Sequence, residues 1–348
     1  MSDFLIADGF GNLSDGVHTL GVEREILGEQ WPSLIGNFHI SDVAADGRKW
    51  IRTEFPAISA NIGLYNTTTS TASLFVAFRI YPTDRTATPV CVFRDAGSTL
   101  GYINVNGAGE IEYVRGQHIF SGGAVIATSS VLPLNAATHV EMEIVWDNVN
   151  GEIEIFLNGV SDVAVAGVDT INAGTECDNM RWVPGVTFAI WKGGWKLTDL
   201  IVHVGATHLG DAGVYYREED ADGADDDFTP SGGAVDNFTM VDEIGPDEDA
   251  TYNESDGTSG HRDSFETAGI AGATVLSVQV LTRARKTGGG ASSLLLGIEE
   301  GGTEEQSAAK ALTVDYLTLS EFFDLNPDTL AAWTPAEVTA AENSYEVD

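Results

Sequence analysis

The sequence predicts an all-β protein made of two β-sandwich, or jelly-roll, domains, the second smaller than the first and with one short helix. Segments in which apolar and polar residues alternate recur along the chain, and this is the period of a strand with one buried face. Turn residues separate these segments at a spacing of about 10 residues, which is typical of sandwiches. The chain has 348 residues, 43% of them hydrophobic, and 39 glycines, which favours two domains with substantial cores.

The stretch 138–166 shows this alternation most clearly. Apolar residues in Val140–Trp146 and in Ile153–Leu157 alternate with acidic residues. A turn cluster at 147–151 and the Asn-Gly pair at 158–159 join these strands to each other and to a third. The pattern predicts a three-stranded antiparallel meander whose acidic side chains face solvent.

The end of this stretch resembles the concanavalin A-like, or laminin-G-like, jelly-roll. In that family a strand ending near a tryptophan is followed by a hairpin and a strand of the pattern xVxVNGV. Here Trp146 precedes the hairpin, and Ile153–Val160 reads IEIFLNGV. The resemblance implies the fold. It implies little about function, because the fold carries lectins, glycosidases and packing modules alike.

Composition divides the chain into four parts. Residues 1–30 are polar and rich in glycine, and they fit either an arm that docks on a neighbouring subunit or a first strand of the chain's own sandwich. Residues 31–205 fit one concanavalin A-like sandwich. Residues 206–236 are predicted to be an acidic linker, because the like-charge run at 218–227 is followed by Pro, Gly and Ser. Residues 237–348 are predicted to form the second β-sandwich.

The second domain shows the same strand pattern and one helix signal. Strict alternation in Val275–Arg285 predicts a strand, and strands are also predicted at Phe238–Val241 and Lys310–Ser320. The helix is predicted over Thr334–Glu342. Its threonine, proline and glutamate stand at the N-cap, first and third helical positions, which is the spacing of a capping box.

The charge balance restricts the partners. The chain has 17 basic and 53 acidic residues, giving a net charge of -36. Such a surface disfavours nucleic acid and anionic membranes, both of which need basic residues for contact. The charge is interpreted as solubility in salty surroundings, with divalent-cation binding in the acidic loops as the alternative. The N-terminus lacks a basic region followed by an apolar one, so a cleaved signal peptide is not expected.

The two cysteines, Cys91 and Cys177, are predicted to be reduced thiols buried as small apolar side chains. A disulfide between them is the alternative for a secreted lectin. No spacing of cysteine and histidine suggests a zinc site.

A second resemblance covers roughly residues 206–348, which look like uncharacterised virion proteins of tailed bacteriophages. The matching segments are Leu209–Asp211, Phe228–Gly233, Asn237–Glu243, Asp247–Tyr252, Gly260–Phe265, Val278–Lys286 and Asn326–Trp333. The chain departs from the pattern at Asp211–Val214, where the family more often has a basic residue. The resemblance implies a structural or host-contact component of the virion, made in the host bacterial cytoplasm, with other virion proteins and further copies of itself as partners. It transfers no catalytic residue.

Catalytic patterns are not found in the sequence. Glycosidases of this fold use an E-x-D-x-x-E strand, in which two carboxylates flank the sugar bond. The pairs Glu141/Glu143 and Glu152/Glu154 lack the third acid and are predicted to be solvent-facing. His139, His203 and His208 show no ligand or triad spacing and are predicted to be structural or surface residues. The chain is therefore expected not to be an enzyme.

Two groups of residues are candidates for binding. Asp220, Asp222 and Asp225 faintly resemble a calcium loop, and Ca²⁺ would be the ion bound, but a solvated linker is the favoured interpretation because the fifth and sixth loop positions do not fit. Trp182, Trp191 and Trp195 lie near a glycine-rich loop. Their rings could stack on sugars, although tryptophans in sandwiches mostly belong to the core.

The sequence thus predicts a non-enzymatic structural component of a tailed phage particle, located in the head, neck or tail. The alternative is a glycan-binding adhesin that uses loops of the first sandwich to contact a host surface glycan. The acidic linker is expected to be mobile, with protease cleavage between about Glu218 and Gly233.

Overall fold

The computed structural model describes residues 4–8, 16–18, 33–35, 38–42, 49–52, 61–85, 87–116, 123–182, 195–242, 248–270, 274–288, 290 and 292–348. Side chains are described from residue 70 onward, apart from those at 88 and 181. Within these ranges nearly all of the regular structure is antiparallel β-sheet, which confirms the predicted all-β sandwich fold.

The first half of the chain forms two large sheets. Its strands are β1 Phe4–Asp8, β2 Gly16–His18, β3 Ser33–Ile35, β4 Phe38–Asp42, β5 Lys49–Arg52, β6 Asn61–Thr71, β7 Ser73–Pro82, β8 Thr88–Asp95, β9 Ser98–Val105, β10 Glu110–Arg115, β11 Ala124–Val131, β12 Thr138–Val145, β13 Gly151–Leu157, β14 Val160–Val168, β15 Cys177–Trp182 and β16 Trp195–His203. Sheet A has the order β14-β13-β12-β7-β16-β5-β4-β2, with β1 also paired to β16. Sheet B has the order β11-β10-β9-β8-β15-β6-β3.

The predicted meander is present as β12, β13 and β14, with Ile144 opposite Ile153 and Ile155 opposite Val163. Alternate residues of these strands and of β7 face sheet B, so their side chains are removed from water. Each such burial stabilises the fold by about 1.5–3 kcal/mol. The buried side chains of this first core belong to Leu74, Val76, Phe78, Ile80, Val90, Cys91, Phe93, Leu100, Ile103, Val105, Ile111, Tyr113, Ala127, Leu132, Val140, Met142, Ile144, Trp146, Ile153, Ile155, Cys177, Met180, Trp182, Trp195, Leu197, Leu200 and Val202.

A β-bulge interrupts the alternation in β16. The register to β7 shifts between Thr198 and Ile201, and Asp199 has φ +51°. Aspartate tolerates this left-handed conformation better than most residues. Because of the extra residue, Leu197 and Leu200 both face the core although they are three positions apart, and Asp199 is buried on the opposite side of the sheet.

The second half of the chain has its own sheets and core. Its strands are β17 Glu219–Asp226, β18 Thr229–Pro230, β19 Asn253–Glu254, β20 Arg262–Thr267, β21 Val278–Ala284, β22 Ser293–Glu300, β23 Thr303–Gln306, β24 Lys310–Ala311, β25 Leu317–Phe323 and β26 Glu342–Val347. Sheet C has the order β17-β20-β26-β22-β23, with β24 also paired to β22. Two-stranded sheets are formed by β21 with β25 and by β18 with β19. The second core comprises Phe228, Phe265, Val280, Leu294, Leu296, Ile298, Leu312, Leu319, Phe323, Trp333, Ala341, Tyr345 and Val347.

The acidic run assigned to the linker is ordered in the structure, contrary to the sequence-based interpretation. Strand β17 pairs with β20 and forms an edge of sheet C. The charges do not keep the strand apart from the sheet, because Asp222 accepts backbone N–H groups and Asp225 lies 3.3 Å from the Nε of Arg262. The domain boundaries themselves stay predictions.

Within residues 1–30, β1 pairs with β16 and β2 pairs with β4 of the same chain. These pairings correspond to the strand alternative for the N-terminal segment. Both cysteines are buried thiols that are not joined in a disulfide, as predicted, and burial raises the pKa of the Cys177 thiol to about 12.

The predicted helix is confirmed as α1, Pro335–Ala340. The Glu337 N–H donates to the Thr334 hydroxyl at 3.3 Å, and the Thr334 N–H donates to the Glu337 carboxylate at 2.7 Å, which completes the capping box. Two strand predictions were wrong in detail: Phe238–Met240 is a 3₁₀ turn, and Lys310–Ser320 is divided between β24 and β25. No helix within the described ranges has both the length and the apolar character needed to cross a membrane.

Candidate functional site

Residues 204–216, here called the strap, contact part of the outer face of sheet A through residues of β7, β12 and β16. Glu141 points from β12 towards the strap and is fully buried. Its Oε1 accepts the N–H of Leu209 at 2.8 Å, and its Oε2 accepts the N–H of Gly210 at 3.2 Å. The prediction that Glu141 faces solvent was wrong, because a later part of the chain returns over this strand and supplies donors for its charge.

Two of the three histidines singled out in the sequence, His203 and His208, lie beside this carboxylate. The Nε2 of His203 is 3.4 Å from Glu141 Oε1, and the His203 ring stacks on Phe75 with centroids 4.6 Å apart. The Nδ1 of His208 is 3.9 Å from Glu141 Oε2, and its ring stacks on Phe156 at 4.4 Å. The structure therefore gives both rings a packing role between sheet A and the strap.

A buried arginine makes the second attachment of the strap. Arg79 Nε donates to Asp199 at 3.1 Å, and Arg79 Nη2 donates to Asp211 at 2.6 Å and to the carbonyl of Ala212 at 3.2 Å. Burial lowers the pKa of Arg79, and the hydrogen bonds to Asp211 and Asp199 outweigh this effect, so the pKa is raised overall. Asp211 begins the stretch Asp211–Val214, in which the chain departs from the phage pattern, and its carboxylate binds Arg79.

These contacts close the part of the outer face of sheet A around Glu141 and Arg79, whereas Glu152 on the same face stays exposed. In the parts of the chain that the structure describes, no group of three or more His, Cys, Asp or Glu side chains could hold a metal ion. Glu141, together with His203 and His208, thus attaches the strap to the sandwich.

The outer face of sheet B has a different composition. Five polar side chains, here called the polar row, lie along β9 and β10 and the turn between them: Tyr102, Asn104, Asn106, Glu110 and Glu112. Asn104 donates to Glu112 at 3.1 Å, and Asn106 donates to Glu110 at 2.7 Å and to Glu112 at 2.8 Å. Apart from Tyr102, these side chains are half-buried, so the row is open to solvent along most of its length.

Local sequence explains why the polar row is rigid. The Asn106 side-chain oxygen accepts the N–H groups of Ala108 and Glu110 at 2.9 and 3.1 Å, which fixes the turn between the strands. Gly109 has φ +84°, a conformation that favours glycine. The turn sets the register that places Asn104 opposite Glu112.

Tyr102 forms the buried end of the polar row. The residue is 4% exposed and lies in register with Val92 on one side and Val114 on the other. No described residue forms a hydrogen bond with its hydroxyl group. Burial and, to a smaller extent, the nearby charge of Glu112 raise the pKa of Tyr102 to about 12.

The polar row was missed in the sequence, although a signal for it was present. Polar residues alternate with Ile103 and Val105 in β9 and with Ile111 and Tyr113 in β10, and an Asn-Gly turn joins the two strands. Alternation predicts which side chains share a face. Alternation does not show which of the outward side chains form hydrogen bonds with each other, so the row could not be distinguished from ordinary solvent-facing residues.

The tryptophans proposed to contact sugar are not brought together on a surface. Trp182 is fully buried and packs edge-on against Phe78 with centroids 5.9 Å apart, and Trp195 is 7% exposed within the first core. Their rings have no free face for stacking on a sugar, so the core alternative applies to both. Trp191 lies outside the described residues.

The three aspartates proposed to bind Ca²⁺ have separate roles in the structure. Asp222 accepts the N–H groups of Phe238 at 2.6 Å and Asn237 at 3.2 Å, and Asp225 pairs with Arg262. Asp220 is exposed on the edge strand β17. They do not converge on a common point, so the described geometry provides no calcium loop here.

The second half of the chain contains a buried polar network centred on Asp263. Its Oδ1 accepts the N–H of Phe228 at 2.8 Å, and its Oδ2 accepts Asn237 Nδ2 at 2.9 Å and the Tyr345 hydroxyl at 3.1 Å. The Tyr345 oxygen in turn accepts Asn253 Nδ2 at 3.0 Å. Burial raises the pKa of Asp263 against these hydrogen bonds, which lower it. The network joins distant segments inside one core.

No family model matches this sequence, and no curated protein matches it either. Solved structures with a similar fold include an endo-β-1,4-glucuronan lyase from the fungus Trichoderma reesei, at a TM-score of 0.39 and 12% identity, covering 57% of this chain and 98% of that one. Alginate lyase Aly36B matches at a TM-score of 0.39 and 14% identity, covering 57% of this chain and 96% of that one. The carbohydrate-binding module CBM66 from Bacillus subtilis matches at a TM-score of 0.32 and 14% identity, covering 51% of this chain and 97% of that one.

Lyases and sialidases are among the structures with a similar fold, and this finding contradicts the expectation that the chain is not an enzyme. The missing E-x-D-x-x-E strand excludes one glycosidase pattern and does not bear on other enzyme classes. At these TM-scores and identities the similarity assigns no activity, substrate or ligand to this chain.

Proposed function

We propose that this protein is a structural component of a tailed phage particle and that it acts through contacts with other virion proteins and with further copies of itself. One observation carries the proposal: residues of the segments that resemble virion proteins meet in the buried network around Asp263. Phe228, Asn237 and Asp263 come from three of those segments and are joined by hydrogen bonds of 2.8–3.0 Å. Because these residues occur in the resembling virion proteins and hold the core together here, they favour a structural scaffold common to those proteins and this chain.

Further residues of the segments Gly260–Phe265 and Asn326–Trp333 contribute to the same half of the chain. Phe265 and Trp333 are 2% and 3% exposed, and Trp333 Nε1 donates to the carbonyl of Phe323 at 2.9 Å. Asn326 is fully buried and fixes its loop by accepting the N–H groups of Asp328 and Thr329 at 2.8 and 3.0 Å. A unit with this many internal hydrogen bonds is suited to a fixed position in an assembly.

Assembly in the host bacterial cytoplasm agrees with the state of the two cysteines. Cys91 and Cys177 are fully buried thiols that are not joined in a disulfide, which suits a reducing compartment. The position in the particle, whether head, neck or tail, is left to the experiment.

The test is co-purification with particles. An epitope-tagged chain, expressed during infection by the phage that encodes it, should sediment with virions through a density gradient and appear by immunogold labelling at one defined place. A tagged chain that stays at the top of the gradient, together with normal particles from a deletion mutant, would contradict the proposal.

A second candidate function is glycan binding by the first sandwich, and the polar row favours it. This row offers half-buried carboxylates and amides beside the buried side chain of Tyr102, and sugars are recognised by such groups. The two functions are compatible, because a particle component can also contact the host surface. A glycan array probed with the full chain and with Tyr102→Phe tests it, and binding that does not depend on Tyr102 would contradict the assignment to this face.

A further inference from the structure

Residues 325–332, here called the leucine loop, lie between β25 and α1 and contain a single helical turn. Asn326 is fully buried and begins the turn, because its side-chain oxygen accepts two backbone N–H groups of the loop at 2.8 and 3.0 Å. The Leu330 N–H donates to the Asn326 carbonyl at 2.9 Å, and the Asn326 N–H donates to the Ala331 carbonyl at 2.9 Å. These four hydrogen bonds hold the loop in one conformation.

Leu330 lies where a glycine is expected. Its φ is +54° at the position that ends the turn, and a left-handed residue there is usually glycine or asparagine. A leucine in this conformation is strained, because its Cβ crowds the adjacent backbone. The residue is 74% exposed, so packing within the chain does not offset the strain. A strained, exposed apolar residue that its surroundings hold in place indicates a contact with another molecule.

Other apolar side chains of the leucine loop are exposed as well. Leu325 is 46% exposed, and Ala331 and Ala332, which follow Leu330 in the chain, are also exposed. The hydrogen bond between Asn326 and Ala331 brings the two ends of the loop together, so these residues belong to one small surface. Single exposed apolar residues are common on protein surfaces, whereas a group of them is typical of a contact site.

Two acids border this surface, and their described partners are neutral. Asp328 accepts the Thr303 hydroxyl at 3.1 Å, and Glu300 accepts the Nδ2 of Asn326 at 3.1 Å. Every described basic side chain from residue 262 to the end of the chain has other partners: Arg262 pairs with Asp225, Glu299 and Glu304, Arg283 with Glu248, Arg285 with Asp249, Lys310 with Glu321, and Lys286 donates to the Gly290 carbonyl. The border of the surface is therefore acidic.

From this arrangement we infer that the leucine loop inserts Leu330 into an apolar pocket with a basic border on another virion protein. The inference rests on the proposed structural role in a phage particle and adds the contact surface and the chemistry of the partner. Removing Leu330 and Leu325 from water favours binding, and basic residues of the partner would pair with Asp328 and Glu300. Because hydrogen bonds already hold the loop, little conformational entropy is lost on binding.

A second copy of this chain fits this surface less well. Each copy has a net charge of -36, so two copies repel each other, and the leucine loop brings its own acids to the contact. A partner with basic residues around its pocket is attracted instead.

The test measures incorporation into particles. The epitope-tagged full chain is expressed during infection by the phage that encodes it, and quantitative mass spectrometry counts the tagged copies in purified virions. Leu330→Asn should lower this number at least about tenfold, because a polar side chain enters an apolar pocket poorly. Asparagine tolerates the left-handed conformation, so this variant should fold. Leu330→Met keeps an apolar side chain and should stay within about threefold of the wild type.

Two further variants separate contact from folding. Val235→Asn is the matched control, because Val235 is apolar and 91% exposed but lies outside the leucine loop, and it should leave incorporation unchanged. Leu330→Gly removes both the side chain and the strain. Its thermal unfolding midpoint should therefore equal or exceed that of the wild type, while its incorporation should fall as in Leu330→Asn.

The outcomes separate the inference from the proposed function. If the wild type and Leu330→Asn enter particles equally, the inference is overturned and the structural role stays intact. A lower unfolding midpoint in Leu330→Gly would overturn it too, because the leucine would then stabilise this chain's own fold. Sedimentation of the purified chain tests the other occupant: a wild-type oligomer that Leu330→Asn dissociates would assign the surface to a second copy and overturn the partner named here. A wild-type chain that never enters particles would contradict the proposed function itself.

Discussion

The two outer faces of the first sandwich share the same sequence pattern, in which acidic and apolar residues alternate, but their acidic side chains differ in burial and in hydrogen-bond partners. On sheet A, Glu141 is buried beneath the strap, and each of its oxygens accepts a backbone N–H. On sheet B, Glu112 is half-buried and bound to two asparagines, and Tyr102 beside it has a hydroxyl group without a described partner. The difference shows that an outward acid on a strand becomes structural when a later segment returns over it and remains available when its contacts are local.

The largest expected effect comes from removing the carboxylate under the strap. Glu141→Ala leaves the N–H groups of Leu209 and Gly210 without their acceptor, which should lower the free energy of unfolding by about 3 kcal/mol. Urea denaturation measures this change. Glu152→Ala, an exposed acid in the neighbouring strand, is the control and should change stability by less than about 0.5 kcal/mol. If the two variants lowered the free energy of unfolding equally, the structural role assigned to the buried Glu141 would be contradicted.

Limited proteolysis sharpens the same point. The strap is bound through Glu141 and Arg79, and the acidic run that follows is strand β17, so we expect residues 206–226 of the folded protein to resist cleavage. This replaces the expectation of a mobile acidic linker. Glu141→Ala should increase the rate of cleavage within 206–216 by roughly a hundredfold, because local opening follows the lost free energy. Mass spectrometry of the fragments locates the cut, and equally fast cleavage of both proteins would contradict attachment of the strap by Glu141.

The pH dependence of Tyr102 tests the buried end of the polar row. Its pKa is raised to about 12 by burial and by the charge of Glu112, so the folded state favours the neutral phenol. Because the unfolded value is about 10, the contribution to stability is complete below about pH 10 and is lost between about pH 10 and about pH 12. The ultraviolet difference spectrum between the wild type and Tyr102→Phe should titrate with a midpoint of about 12. In a Glu112→Gln background this midpoint should fall, and an unchanged midpoint would mean that Glu112 is remote from the hydroxyl.

The smallest expected effect is on the stability of the polar row itself. Glu112→Gln keeps an oxygen that can accept from Asn104, and the site is half-buried, so the free energy of unfolding should change by less than about 0.5 kcal/mol. The same substitution at the strap, Glu141→Gln, should cost about 2 kcal/mol, because a neutral acceptor replaces a charged one in a buried site. Chemical denaturation of the two variants side by side measures the contrast. A large loss in Glu112→Gln would indicate that the polar row supports the fold.

Several features could be predicted from the sequence because their causes are local. Alternation in β12 and β13 gave the meander and its core residues, Asn158-Gly159 gave the turn, and Thr334 with Glu337 gave the start of α1. Each depends on residues close together in the chain.

The candidate sites were predicted less well, for a reason visible in particular residues. Trp182 and Trp195 were placed near a loop by sequence proximity, yet both point into the core. Glu141 and Leu209 are 68 positions apart, so their hydrogen bond leaves no mark in either local pattern. The acidic run of β17 was interpreted by its charge alone, whereas Arg262 and the N–H of Phe238 come from elsewhere in the chain to meet it.

The sequence by itself determined the fold class, which side chains of the meander share a face, and where helix α1 begins. These features depend on the alternation of side chains along a strand and on turn and cap residues, which act over only a few positions. Only the tertiary structure decided which outward acids are buried and which stay available. That decision depends on where the strap and β17 return, and a buried charge is tolerated only where such distant segments bring it donors.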